Sequence, residues 1–229
     1  MKIHGLQKMT LLDFPGRVAC TVFLGGCDFR CPFCHNSELL TADAPYLMES
    51  GELLEFLKKR KGLLDGVAFT GGEPLLRKDL PDLFRQIREL GYPIKLDTNG
   101  SHPERLRAVV DEGLVEYVAM DVKNSPERYA ETIGVPGFDL TPVRESVSYL
   151  LSGAVDYEFR TTVMTRYHDE ESFRAIGQWI AGAKRYFLQP FTDRDTVPLR
   201  GLEAPDEAEL RRYCDLVRPR VPSVAVRGL

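Results

Sequence analysis

Two observations predict an α/β fold built on parallel strands. Short apolar, β-branched runs alternate with amphipathic helical patterns along almost the whole chain, giving six strand–helix units of ~20–40 residues each. Glycine-rich and charged segments follow the apolar runs, at the strand ends where parallel α/β proteins build their sites. Right-handed crossovers suit both an open doubly wound sheet and a barrel, and periodicity does not choose between them. A full eight-unit barrel takes ~250 residues, so a chain of 229 residues would form a partial one.

The elements follow in order. Residues 18–24 are apolar and β-branched, and the run stops at Gly25-Gly26. Residues 49–60 place Leu53, Phe56 and Leu57 on one helical face. Residues 66–70 form a second strand, stopped by Gly71-Gly72. Leu80, Leu83, Phe84, Ile87 and Leu90 then give the clearest helix, with Asp79 as its cap and Gly91 as its stop. A third strand covers 94–97, and Pro103 opens a helix carrying Leu106, Val109 and Val110. A fourth strand covers 116–121. A less regular stretch with Pro126, Pro136 and Gly137 leads to a helix near 141–152. A fifth strand at 157–164 precedes a helix holding Phe173, Ile176 and Ile180. A sixth strand at 185–189 leads into a loop rich in Pro, Asp and Arg. Pro205 opens a helix with Leu210, Cys214 and Val217 on one face, and 222–226 add a last short strand. No repeat, low-complexity tract or linker divides the chain. It reads as one domain over 1–229, with a core at about 16–192 and a C-terminal helix and strand in 193–229.

Composition narrows the function. Thirty basic against 34 acidic residues leave a net charge of −4, a poor match to a nucleic-acid surface. No apolar run reaches the ~18 residues of a membrane span, and the polar start after Met1 does not read as a signal peptide. Five cysteines, three of them within eight residues, do not make a secreted disulfide framework. A reducing cytoplasm with a metal or redox site is the expectation.

The unusual residues cluster after the strands. Strand one leads to Cys27, Cys31 and Cys34 in C-x3-C-x2-C spacing, strand two to Gly71-Gly72-Glu73-Pro74, and strand three to Asp97-Thr98-Asn99-Gly100. Strand four leads to Asp121-Val122-Lys123 and strand six to Gln189-Pro190. Far apart in sequence, these segments meet on one rim of a parallel sheet. Three thiolates this close suit a soft metal or an iron–sulfur cluster. On a four-iron cluster they leave one iron open to a small molecule. Cys27, Cys31, Cys34 and His35 are also a Cys3His zinc set, although adjacent Cys34 and His35 close poorly on one tetrahedral ion. Gly71 and Gly72 allow close approach to the backbone, and they also suit a plain turn. Glu73 offers a carboxylate to an ammonium group. Asp97 and Asn99 suit ribose hydroxyls, though Asn99-Gly100 is a common turn. Asp121 and Lys123, two apart on a strand end, point the same way as a site or as an ion pair. Cys20 and Cys214 read as core thiols.

At these residues the sequence resembles the radical S-adenosylmethionine (radical SAM) superfamily. The cysteine spacing, aromatic Phe33 before the last cysteine and the Gly71-Gly72-Glu73-Pro74 turn about forty residues on carry the resemblance. The likeness implies a partial (β/α)6 TIM-type barrel. Asp13-Phe14-Pro15-Gly16-Arg17, Cys34-His35-Asn36, Asp97-Thr98-Asn99-Gly100, Asp121-Val122-Lys123 and Ile133-Gly134-Val135 look like glycyl-radical-enzyme activating proteins. Among these it most resembles the activators of anaerobic ribonucleoside-triphosphate reductase, with the pyruvate formate-lyase type near. The match covers about 5–192. There are departures: Phe14 stands where those relatives carry Gly, and Thr192 where the formate-lyase type carries His. The ferredoxin-like insert of several activators is missing.

The resemblance implies a [4Fe-4S] cluster on Cys27, Cys31 and Cys34. It implies S-adenosyl-L-methionine on the fourth iron, held by Phe33, Gly71, Gly72, Glu73, Asp97, Asn99, Asp121 and Lys123. No side chain need serve as a general base. Reductive cleavage would give a 5′-deoxyadenosyl radical that takes a hydrogen from a glycine of a partner enzyme. Flavodoxin or ferredoxin would supply the electron, and loops 124–140 and 192–204 would dock the partner. A small-molecule radical SAM enzyme of the 7-carboxy-7-deazaguanine synthase type and a zinc-stabilised binding module are the alternatives.

Overall fold

The computed structural model describes residues 1–228. The chain opens with two short strands, β1 (Lys2–Ile3) and β2 (Gly5–Thr10), and then β3 (Ala19–Leu24). β4 (Met48–Glu49) pairs back on β1 and runs into α1 (Ser50–Lys59). There follow β5 (Gly66–Gly71), α2 (Leu80–Glu89), β6 (Ile94–Thr98), α3 (Pro103–Asp111) and β7 (Tyr117–Asp121). A single turn, α4 (Tyr129–Thr132), precedes α5 (Thr141–Leu151) and β8 (Asp156–Val163). The last elements are α6 (Glu170–Trp179), β9 (Tyr186–Pro190), α7 (Glu207–Val217) and β10 (Val224–Val226).

Strand order decides between the two architectures left open by periodicity. The main sheet runs β10-β9-β8-β7-β6-β5-β3-β2, with all neighbours from β3 to β10 parallel and β2 antiparallel to β3. A doubly wound sheet reverses its order part-way. Here each parallel strand lies beside its predecessor in one direction, so right-handed crossovers put every helix on the same face. The other face turns inward. The result is a partial (β/α)6 TIM-type barrel, with β10 as a seventh parallel strand and β2 as an antiparallel edge.

The two sheet faces have different chemistry, as period two requires. Val22, Val67, Phe69, Leu96, Val118 and Phe159 point outward and are fully buried against the helices. Thr21, Lys95, Asp97, Glu158 and Arg160 occupy the alternate, inward positions. The helices start on sequence signals. Glu49 and Glu52 form a capping box on α1, and Asp206 and Glu209 do so on α7. Pro205 therefore lies just outside α7 rather than opening it. Asp79 stands at the N-cap of α2 without a side-chain bond. Strand β2 is an addition to the sequence reading: Gly5-Leu6-Gln7-Lys8-Met9-Thr10 does not alternate, because an edge strand with one solvated side has little to bury.

Candidate active site

The carboxyl ends of β3 and β5–β9 open on a cavity of about 440 Å³. Cys27, Cys31, Cys34, Phe33, Gly71, Gly72, Asp97, Asn99, Asp121 and Lys123 all line it. Sequence-distant segments thus meet on one rim. Glu73 does not line it.

The cysteine loop leaves β3 at Gly25. Cys31 is 7% exposed, and Cys27 and Cys34 are half-buried. Burial pushes the Cys27 thiol up to about 12 and the Cys31 thiol to about 11, and raises Cys34 as well. Thiols in such surroundings ionise only against a cationic centre, as a metal provides. Three soft sulfur donors lining one cavity fit an iron–sulfur cluster. A four-iron cluster spreads its thiolates over different irons. His35, the fourth ligand of the zinc alternative, instead stacks on Phe191 at 5.4 Å, with Nε2 2.7 Å from Thr192 O.

The Gly71-Gly72 pair is required by the backbone of β3. Gly71 has φ +119°, and a Cβ there would lie 2.4 Å from Leu24 O. A Cβ on Gly72 would lie 2.1 Å from Gly26 O. The close approach is thus between two strand ends, and the Gly72 and Glu73 N–H groups donate to Leu24 O and Gly26 O, both at 2.8 Å. Glu73 is fully buried and turned away from the cavity. Its carboxylate accepts from Asn99 N at 2.6 Å, Thr98 Oγ1 at 2.9 Å and Leu75 N at 3.0 Å. Burial outweighs these bonds and lifts its pKa to about 7. In this structure Glu73 pins the end of β6.

Asn99 is fixed from several sides. Its Nδ2 donates to Asp28 Oδ1 at 2.9 Å, and its Oδ1 accepts from Ser101 N and Oγ at 2.9 and 2.6 Å. Below it runs a charge ladder. Asp97 pairs with Lys95 and, at 3.2 Å, with Arg160 Nη1. Asp121 pairs with Arg160 Nε at 3.0 Å and Lys123 Nζ at 2.9 Å. Burial opposes ionisation of Asp121, but Arg160 and then Lys123 hold its carboxyl down at about 2. Asp97 is lowered in the same way by Arg160 and Lys95. Lys123 and Arg160 reach the cavity wall, where they can meet an anionic group on a ligand.

Sequence reasoning passed over Arg160 and Arg194, which also line the cavity, and quoted Asp13 and Gln189 without giving either a role in it. Arg160 carried a signal. In Glu158-Phe159-Arg160-Thr161-Thr162, charged and polar residues alternate through a strand flanked by buried ones, which marks an inward face.

With this geometry in view, comparison with known proteins is specific. A model of the Radical SAM superfamily matches residues 21–180. The chain belongs to the radical SAM superfamily. It is 28% identical over 235 residues to a protein of Methanocaldococcus jannaschii whose name, a provisional one, is glycyl-radical enzyme activating enzyme. That alignment covers 99% of this chain and 96% of the relative. It is 29% identical over 221 residues to the 7-carboxy-7-deazaguanine synthase of Hyperthermus butylicus, covering 93% of this chain and 80% of that one. Among solved structures, Streptococcus suis SuiB bound to precursor peptide SuiA superposes with a TM-score of 0.72 at 15% identity. The match covers 91% of this chain and 48% of SuiB, so this chain spans about half of that protein and shares its fold.

Proposed function

We propose that the chain is a glycyl-radical-enzyme activating enzyme, holding a [4Fe-4S] cluster on Cys27, Cys31 and Cys34 and S-adenosylmethionine across the cavity. The convergence of these three thiols with the Asp97–Arg160–Asp121–Lys123 ladder on one rim carries the reading. The near full-length likeness to the M. jannaschii protein supports the activating class. When bound and given one electron by an external donor, the pair would supply reductive cleavage of S-adenosylmethionine and hydrogen-atom removal from a glycine Cα of the partner.

The chain's own residues bind, orient and exclude water. Lys123, at the head of the ladder, meets the ligand carboxylate. Asp97 and Asn99 face its ribose, and Asp121 supports them through Arg160. Gly71, Gly72 and the backbone around Phe33 form the walls. Glu73 acts by holding Thr98 and the Asn99 backbone in place. The proposed partner is an anaerobic ribonucleoside-triphosphate reductase, docked through 124–140 and 192–204, with flavodoxin or ferredoxin as electron donor. Among the described residues no helix is long and apolar enough to cross a membrane, and free thiols on a metal site fit a cytoplasmic setting.

The test is anaerobic. Reduced, cluster-loaded protein with S-adenosylmethionine should place a glycyl radical on the reductase, read by electron paramagnetic resonance. Cleavage of S-adenosylmethionine with no radical on the reductase would remove that partner. Turnover of a pterin substrate without any protein partner would move the chain to the deazaguanine synthase type.

A further inference from the structure

The cysteine loop, residues 25–40, is tied down in three places. Its ends close on each other, with the N–H groups of Gly26 and Cys27 donating to Leu39 O at 2.8 Å and Leu40 O at 3.1 Å. Its middle is held where Arg30 N donates to Ile133 O at 2.9 Å. The third tie runs to residues 191–204, which join β9 to α7 without a helix or strand of their own.

That third tie is dense. Leu199 N donates to Pro32 O at 2.9 Å, and Thr196 Oγ1 donates to His35 O at 2.7 Å. Ser37 Oγ donates to Thr196 O, and His35 Nε2 donates to Thr192 O at 2.7 Å. The rings of His35 and Phe191 stack with 12° between their planes. On its far side the segment is anchored by Val197 and Leu202, which are 2% and 5% exposed, and by Thr165 N donating to Glu203 O.

These contacts fall at residues 32, 35 and 37, on both sides of Cys34. Cys27 needs no such help, because it lies three residues from the end of β3. Cys31 is buried in the core. Cys34 lies ten residues beyond β3, where the sheet no longer fixes the chain. A three-point ligand set needs each sulfur held to ~0.5 Å.

We propose that residues 191–204 clamp the cysteine loop and set the position of Cys34, with Thr196 and His35 as positioning residues. The inference rests on the cluster reading given above. The clamp acts through one backbone bond, two hydroxyls, one imidazole and one stacked pair. Arg194, on the same segment, also lines the cavity. The segment therefore forms part of the wall that it holds in place.

The experiment uses the full chain, loaded with cluster anaerobically. Thr196→Val keeps the shape and removes the donor to His35 O, Thr196→Ser keeps the donor, and His35→Phe keeps the stack but loses the bond to Thr192 O. The readouts are the rate of iron release to a chelator and the resonance spectrum of the reduced cluster before and after S-adenosylmethionine. Thr196→Val and His35→Phe should each release iron about fivefold faster, the equivalent of one lost hydrogen bond, and broaden the spectrum. Thr196→Ser should match the wild type. Equal release rates and spectra in all four proteins would overturn the clamp while leaving the cluster reading intact. A wild-type chain that takes up no iron would overturn both. Should Thr196→Val not fold, His35→Phe against wild type decides alone.

Discussion

His168 shows how one residue near the site is set by its bonds. Its Nδ1 accepts from Met164 N at 3.4 Å and its Nε2 donates to Lys123 O at 3.0 Å, so the neutral ring is the one that fits. Burial lowers its pKa to about 4. The unfolded chain, with an ordinary histidine near 6.5, binds the extra proton first. Stability from this group is full above pH 6.5 and is lost as pH falls towards 4, by about 3 kcal/mol. Asp121, held at about 2, loses its share only at lower pH. Glu73, raised to about 7, acts in the opposite sense over part of the same window, so the measurement is a difference. Urea unfolding of wild type and His168→Gln at pH 7, 5.5 and 4.5 should show the wild type's advantage shrinking as pH falls; a constant difference would refute it. At this scale the three thiols and most of the rim were legible, because spacing and strand-end position are sequence properties. The orientation of Glu73 was not, because it depends on where β6 ends relative to β5. Nor did sequence show that Phe14, the departure from glycine, packs against Tyr117 at 6.4 Å inside the barrel.

Among the elements, the turn after α4 explains a motif that sequence singled out without giving it a task. Gly134 has φ +67°, and a Cβ there would stand 2.3 Å from Arg30 O, inside the cysteine loop. Ile133 O already accepts Arg30 N. Gly134→Ala should therefore combine a left-handed penalty with a clash against backbone, for a loss of about 2–4 kcal/mol. Gly113 is the internal control: its φ is +72° and a Cβ would meet nothing within 4 Å. Gly113→Ala should lose only about 1 kcal/mol. Chemical denaturation of both variants separates the terms, and equal losses would mean that the contact with the cysteine loop carries no weight. The six strand–helix units were readable because each long helix buries one stripe and each inner strand a whole face. The strap at 191–204 was not, since its bonds are made to residues some 160 positions away and leave no local pattern.

For the whole molecule, the open question is how an incomplete barrel closes its lower end. β2 and β10 are the two edges of the sheet and do not pair with each other. Strand-to-strand backbone bonding therefore does not complete the ring, and side chains do so instead. Glu158, 1% exposed, accepts from Tyr117 Oη at 2.8 Å and from Arg227 Nη2 at 2.8 and 3.0 Å. Arg227 also lies over the Phe187 ring at 4.4 Å, and its N–H donates to Leu188 O. Phe14 and Tyr117 pack beside them. The floor thus draws on the N-terminal loop, β7, β8, β9 and the residue after β10. Removing one partner of a buried pair leaves the other uncompensated, which costs about 3–5 kcal/mol when both are buried. Arg227 is 35% exposed, so water screens part of the loss and about 2 kcal/mol is the expectation for Arg227→Met. Glu158→Gln in the Arg227→Met background removes the stranded charge and should restore more than half of it. A double-mutant cycle by urea unfolding reads the coupling directly. If the single and double variants unfold together with wild type, the floor is packing alone, and the ion pair does not hold the C-terminal strand to the barrel.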